Sequence, residues 1–256
     1  MSRSTVDLVE IARRAIAAHK PFAVCTLVRG ARNVGAKMVV HADGVEGSQG
    51  EPSLDEKTAA EARRLLAGGE SQTLTIEDSD VFFDLCLPEP RLIIVGAVHI
   101  AVALCEMAVI AGFSVTIVDP RPALNVAERF PRASQRLVGW PEDELPALEF
   151  DENTYVAVLT HDEKFDDPTV LHALRTPARY IGAIGSKKTQ ALRRERLRDA
   201  GVSVDAIERL RGPIGLDIGA QSPEEIAVAI LSEMIAAKHL RAGRPLRDRL
   251  EPHIHD

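Results

Sequence analysis

A glycine, a hydroxyl and two lysines run together at Gly185-Ser186-Lys187-Lys188, after an apolar stretch and before a helical pattern. A glycine turn feeding a serine N-cap leaves free backbone N–H groups pointing outward from the helix start, and the lysines add positive charge. This is a good site for an anion, most naturally a phosphate or pyrophosphate. It lacks the glycine spacing of a Walker A loop, and a capped surface helix with solvated lysines would read the same way. A second set follows another apolar run, at Thr160-His161-Asp162-Glu163, with Asp166 and Asp167 close behind. One imidazole among carboxylates has the composition of a metal or acid/base site, although acids after a strand are also ordinary helix-start residues. His99 is either a polar ligand contact or a histidine satisfied beneath a loop. Asp217 lies in an apolar loop bracketed by Gly215 and Gly219. It could bond to a base or a pterin ring, or accept backbone N–H groups in a buried corner.

The elements that must position these groups are legible. Arg91-Leu-Ile-Ile-Val-Gly96 is an apolar run ending in glycine. An amphipathic helix follows, and Ser114-Val-Thr-Ile-Val118 ends in Asp119. This is the opening of a dinucleotide-binding βαβ unit, in which Gly96 is a candidate cofactor contact and Asp119 could hold a ribose 2′-hydroxyl. Asp119 could equally cap the turn into Pro120-Arg121-Pro122. Of the glycine fingerprint only Gly96 remains. Val98 stands at the second position, where its Cβ should crowd a diphosphate, and Ala101 at the third.

Strands are expected near 91–96, 114–119, 135–138, 154–160 and 179–183. Helices are expected near 98–112, 124–130, 167–174, 187–199, 203–210 and 223–241, the last opened by Ser222, Pro223 and Glu225. Such alternation predicts an α/β domain, a Rossmann-like doubly wound parallel sheet, over residues 91–256. If the order is Rossmann-like, the first and fourth strands are neighbours, and His99 and His161 face one crevice. Residues 1–87 read as a smaller α+β domain. Val6, Leu8, Val9, Ile11, Ala12 and Ile16 mark a first helix. Strands follow at Phe22–Val28, Lys37–His41, Gln72–Ile76 and Val81–Leu87. A helix over 54–66 is opened by a Ser53/Glu56 capping box. Pro88-Glu89-Pro90 is the stiff connector between the domains.

Composition narrows the partners. A net charge of −7 with interleaved signs argues against nucleic acid and anionic membrane surfaces. No apolar run approaches the ~20 residues that span a bilayer, and MSRSTVDLVEIARRA has no signal-peptide core, so the expected location is cytoplasmic. Cys25, Cys86 and Cys105 are too scattered for metal spacing and read as buried small hydrophobes.

Four segments taken in order carry a resemblance: G-A-V-H at 96–99, T-H-D-E-K-F-D-D at 160–167, Y-I-G-A-I-G-S-K-K-T at 180–189 and P-I-G-L-D-I-G-A-Q-S-P-E-E-I-A at 213–227. Over nearly its whole length the chain resembles the XdhC/CoxI family, maturation chaperones of molybdenum hydroxylases such as xanthine dehydrogenase. The resemblance implies a Rossmann-like second domain and a protein that binds molybdenum cofactor (molybdopterin, in a mononucleotide or dinucleotide form). Such a protein holds the cofactor while it receives its terminal sulfur and delivers it to an apo-molybdenum hydroxylase. A cysteine desulfurase would be a further partner. Ser186, Lys187 and Lys188 would then take the phosphate, and His99, His161, Asp162 and Asp217 the remainder of the cofactor. A homodimer is expected because symmetric dimers are the commonest assembly. Relatives commonly carry G-S-x-G-G-G-C where this chain has Gly47-Ser-Gln-Gly-Glu-Pro-Ser53, so a serine stands at the cysteine position and cannot serve as a thiolate. Two other readings remain. One is an NAD(P)-dependent oxidoreductase, with Asp119 on ribose and His161 as proton donor. The other is a degenerate paralogue that only contacts a protein partner.

Overall fold

A computed structural model describes residues 10, 11, 13–15, 20–67 and 69–248. The chain divides into two compact units at the Pro88/Glu89 bond. Among the described residues no helix is long and apolar enough to cross a membrane.

The first unit is an antiparallel sheet of β1 (Phe22–Arg29), β2 (Lys37–His41), β3 (Gly44–Gly47), β4 (Gln72–Ile76) and β5 (Ser79–Cys86), in the order β3-β2-β1-β5-β4. Helix α1 (Pro52–Leu66) covers it. Alternate residues Ala23, Cys25 and Leu27 face Leu54, Ala62 and Leu65 of the helix, so the strand period of two meets the helix period near four in one core. Of the expected first helix, Glu10, Ile11 and Arg13–Ala15 are helical, while Val6, Leu8, Val9, Ala12 and Ile16 lie outside the described residues. Strand β3 was not expected. Its two glycines have weak strand propensity, and pairing with β2 imposes the conformation.

The capping box expected at Ser53 and Glu56 does not form. Helix α1 starts earlier, with Pro52 in its first turn and Glu51 as an N-cap without a side-chain bond. Proline at a first helical position needs no N–H partner and is already set for helix, which moves the start ahead of Ser53. Ser53 instead donates to Glu77 Oε1 at 3.2 Å.

The second unit is a parallel sheet of six strands: β6 (Arg91–Val95), β7 (Ser114–Val118), β8 (Gln135–Leu137), β9 (Thr154–Val158), β10 (Tyr180–Ala183) and β11 (Leu210–Arg211). Their order is β11-β10-β9-β6-β7-β8. Counted within the unit, the third, second and first strands precede the fourth, fifth and sixth, which is the doubly wound Rossmann order. The order reverses between β6 and β9, which pair from Arg91↔Thr154 to Val95↔Val158. Helices α2 (His99–Ile110) and α7 (Pro223–Lys238) bury Leu92, Ile94, Val115, Ile117, Tyr155 and Tyr180 on one face. Helices α4 (Glu163–Leu174), α5 (Lys187–Asp199) and α6 (Val204–Glu208) bury Val156, Val158, Ile181, Ala183 and Leu210 on the other.

Four differences from expectation stand out here. The segment 124–130 is a chain of turns rather than a helix, with Leu124 and Asn125 N–H on the Arg121 carbonyl and Phe130 N–H on Val126. Prolines at 120, 122 and 131 keep it short. A brief helix, α3 (Pro141–Glu144), and the two-residue strand β11 were not expected and are too short to show a periodicity. The last helix stops at Lys238, three residues before the expected end.

Candidate functional site

Ligands of a doubly wound sheet bind beyond the carboxyl ends of the strands where the order reverses. Here that place is the seam between β6 and β9. Gly96 leaves β6 with φ +106°, and a Cβ built on it would lie 2.5 Å from the Thr160 methyl. Glycine is therefore required by both backbone and space. Ala97, fully buried, gives its N–H to Asp119 Oδ2 at 2.6 Å, and its carbonyl accepts from Arg129 at 2.7 Å. Val98 is the N-cap of α2 and packs against the core of that sheet face. Ala101 is fully buried at the third fingerprint position, where close packing of helix on strand needs a small residue.

Asp119 is sealed. Besides Ala97 it accepts from the Arg121 N–H and Nε at 2.9 Å each on Oδ1, and from Arg121 Nη2 at 2.6 Å on Oδ2. Burial alone would raise its pKa, but these bonds hold it below the usual carboxylate range. Of the two roles open for Asp119 from sequence, holding the turn occupies both oxygens.

His99 is the first residue of α2 and His161 follows β9. Because β6 and β9 are neighbours, the two imidazoles stand at the same edge of adjacent strands, and both are exposed. Asp162 is also exposed and caps α4, accepting the Lys164 N–H at 3.0 Å. Beneath them lies a network that the sequence only half disclosed. Thr160 donates to Asp166, whose other oxygen accepts from Arg193 of α5, and Arg193 also donates to Gln190 Oε1 at 2.9 Å. Asp166 and Arg193 are each 1% exposed. Burial pushes Asp166 up to about 6, against the pull of Thr160 and Arg193. Arg193 was not singled out because α5 carries several arginines. The only signal was its spacing, three after Gln190 and four before Leu197, all buried on one helix face.

Gly185 follows β10 with φ +133°. Ser186 caps α5 as expected, accepting the Thr189 N–H at 3.1 Å, and Lys187 and Lys188 are exposed in its first turn. β10 is second from β6 across the sheet, so the two strands lie about 10 Å apart at ordinary strand spacing. Asp217 is exposed. Its loop is anchored by Glu233 of α7, which accepts the Gly215 N–H at 2.8 Å and the Tyr180 hydroxyl at 2.6 Å.

In the first unit the Gly47–Ser53 loop is built closed. Asp55 accepts from the Ser48 hydroxyl at 2.5 Å and the Gln49 N–H at 2.7 Å. Thr58 donates to Gln49 Oε1 at 3.0 Å, and Asn33 donates to its carbonyl at 3.2 Å. Gln49 is 1% exposed and was not anticipated. Burial pushes the Cys25 and Cys105 thiols up to about 12 and about 11, so neither is a thiolate. Among the described residues no group of three His, Cys, Asp or Glu could hold a metal ion.

The XdhC Rossmann domain pattern matches residues 92–234, and that of the XdhC and CoxI family matches residues 15–77. The chain belongs to the XdhC/CoxI family. Among its XdhC relatives is a protein of Bacillus subtilis (strain 168) described as a probable xanthine dehydrogenase subunit, 33% identical over 63% of this chain and 47% of that one. The molybdenum cofactor insertion chaperone PaoD of Escherichia coli (strain K12) is 26% identical over 59% of this chain and 41% of its own length. The chain thus matches less than half the length of these curated relatives. A crystal structure of a xanthine dehydrogenase from Bacillus halodurans superposes with a TM-score of 0.55 at 19% identity, covering 94% of this chain and 98% of that one, a likeness of fold.

Proposed function

We propose that this XdhC-family chain binds molybdenum cofactor and assists its sulfuration and insertion into a molybdenum hydroxylase of the xanthine dehydrogenase or CO dehydrogenase type. The observation that carries this reading is the helix start Gly185-Ser186-Lys187-Lys188 at the carboxyl edge of the sheet, two strands from the seam at Gly96. There α5 presents N–H groups and two ammonium charges to a phosphate or diphosphate. His99, His161, Asp162 and Asp217 would contact the remainder of the cofactor, which arrives as cargo and leaves unchanged except for its sulfur.

The role is that of a carrier rather than a catalyst. Asp166, the carboxyl group raised toward neutrality, is buried and paired with Arg193. Asp119, which an oxidoreductase would use on ribose, has both oxygens occupied. Ser53, at the family's cysteine position, has a hydroxyl that does not ionise, so sulfur would come from a partner such as a cysteine desulfurase. The apo-hydroxylase is the second partner, and a homodimer the expected assembly.

Equilibrium binding of the purified chain to molybdenum cofactor tests the proposal. Saturable binding, together with loss of hydroxylase maturation in a deletion strain, is expected. No saturable binding with normal maturation overturns it.

A further inference from the structure

Side chains from three segments that follow three different strands meet at Phe165. Arg121 follows β7, Trp140 follows β8, and Phe165 lies in the first turn of α4, the helix after β9. Since β6 separates β7 from β9 in the sheet, contact between Arg121 and Phe165 spans the width of β6, close to the strand ends that both residues follow. They do touch: the Arg121 guanidinium carbon lies 5.8 Å from the Phe165 ring centre. Trp140 stacks on the same ring, with centroids 5.0 Å apart and planes inclined by 22°. Phe165 is thereby buried at 7% exposure, whereas Trp140 keeps 43%. A large indole, stacked on one ring and partly exposed, is an arrangement on which a second flat ring stacks. The usual polar reader on this side of a Rossmann crevice, the acid after the second strand, is consumed internally here by Arg121 and Ala97. What this part of the crevice still offers is aromatic surface.

We infer that Trp140 is the stacking platform for the planar heterocycle of the ligand held in this crevice, with Phe165 and Arg121 positioning the indole. The inference rests on the cofactor reading above and adds a recognition residue to it. A pterin and a nucleobase present the same chemistry, a flat π-face, and the titrations separate them.

Trp140 is the only tryptophan of the chain, so its fluorescence reports this place alone. The purified chain is titrated with a free pterin, with CMP and with pyrophosphate, each paralleled by calorimetry. Free tryptophan under the same additions corrects for absorption by the pterin. Saturable quenching by the pterin or by CMP is expected, with none from pyrophosphate. Trp140→Ala should weaken binding of the quenching heterocycle about tenfold or more, whereas Trp140→Phe, which keeps a ring, should lose far less. Pyrophosphate affinity should be unchanged in both variants. Equal heterocycle affinity in wild type and Trp140→Ala, or no binding of either ring, overturns the inference. If molybdenum cofactor binds but leaves Trp140 fluorescence unaltered, the stacking role falls and the carrier function stands. If the cofactor does not bind at all, the carrier function falls.

Discussion

Gly96 and Thr160 close the seam of the parallel sheet, where the methyl of one occupies the space that any side chain on the other would need. The chain leaves β6 through a left-handed conformation there, at φ +106°. Replacing Gly96 with alanine should therefore destabilise the protein by at least about 1–3 kcal/mol from backbone strain, before the clash is counted. Thr160→Ser on top of it should restore only the steric part. Urea denaturation of the three proteins checks this, and an unchanged midpoint for Gly96→Ala would show that the turn is not held as described.

Removing both ammonium groups, Lys187→Ala with Lys188→Ala, should leave folding stability within about 0.5 kcal/mol, because both are exposed. Affinity for pyrophosphate should drop about tenfold, or about 1.4 kcal/mol. Calorimetry at fixed ionic strength reads it. Equal affinity would return α5 to the status of a solvated surface helix.

Two serines at helix starts should respond differently. Ser222 accepts the Glu225 N–H and completes a capping box with the Glu225 side chain, so Ser222→Ala should cost about 1 kcal/mol. Ser53 caps nothing and holds one exposed bond to Glu77, so Ser53→Ala should cost under about 0.5 kcal/mol. Comparable losses would contradict the observed start of α1. If Ser53→Ala abolished cofactor binding with stability intact, this serine would belong to the site.

Asp166 and Asp119 should give pH dependences of opposite sign. Burial holds the Asp166 pKa at about 6 in the folded protein against an ordinary 3.8, so between these values the folded state keeps a proton that the unfolded chain has released. Its contribution to stability is full below the lower value and declines as pH rises toward about 6. Asp119 is lowered, so its contribution is present above the ordinary carboxylate pKa and is lost as pH falls through the folded value. Asp166→Asn should remove the decline between about pH 4 and 6. The amide is neutral at every pH in this range, and its oxygen can still accept from Arg193. A variant with the wild-type slope would assign that slope to another group.

The pattern of residues alone disclosed the alternation of strands and helices, because period two and period near four are local properties of the chain. It also disclosed Ser186 and Ser222 as caps and the order of the four segments that mark the XdhC/CoxI family. It misplaced the start of α1 by letting Ser53 outweigh Pro52, and it read helix into 124–130, where prolines leave only turns.

Three matters waited for the tertiary structure. Strand order joins segments tens of residues apart, and only their pairing brings β6 beside β9 and so His99 and His161 to one edge. Asp119 had two open roles from sequence; its bonds to Arg121 are local, but only the pairing of β6 with β7 brings the Ala97 N–H to it and fills its oxygens. Arg193 and Trp140 are an ordinary helix arginine and an ordinary loop aromatic until packing buries one against Asp166 and lays the other on Phe165. Local propensity is written residue by residue, but burial and pairing are properties of what lies across the fold.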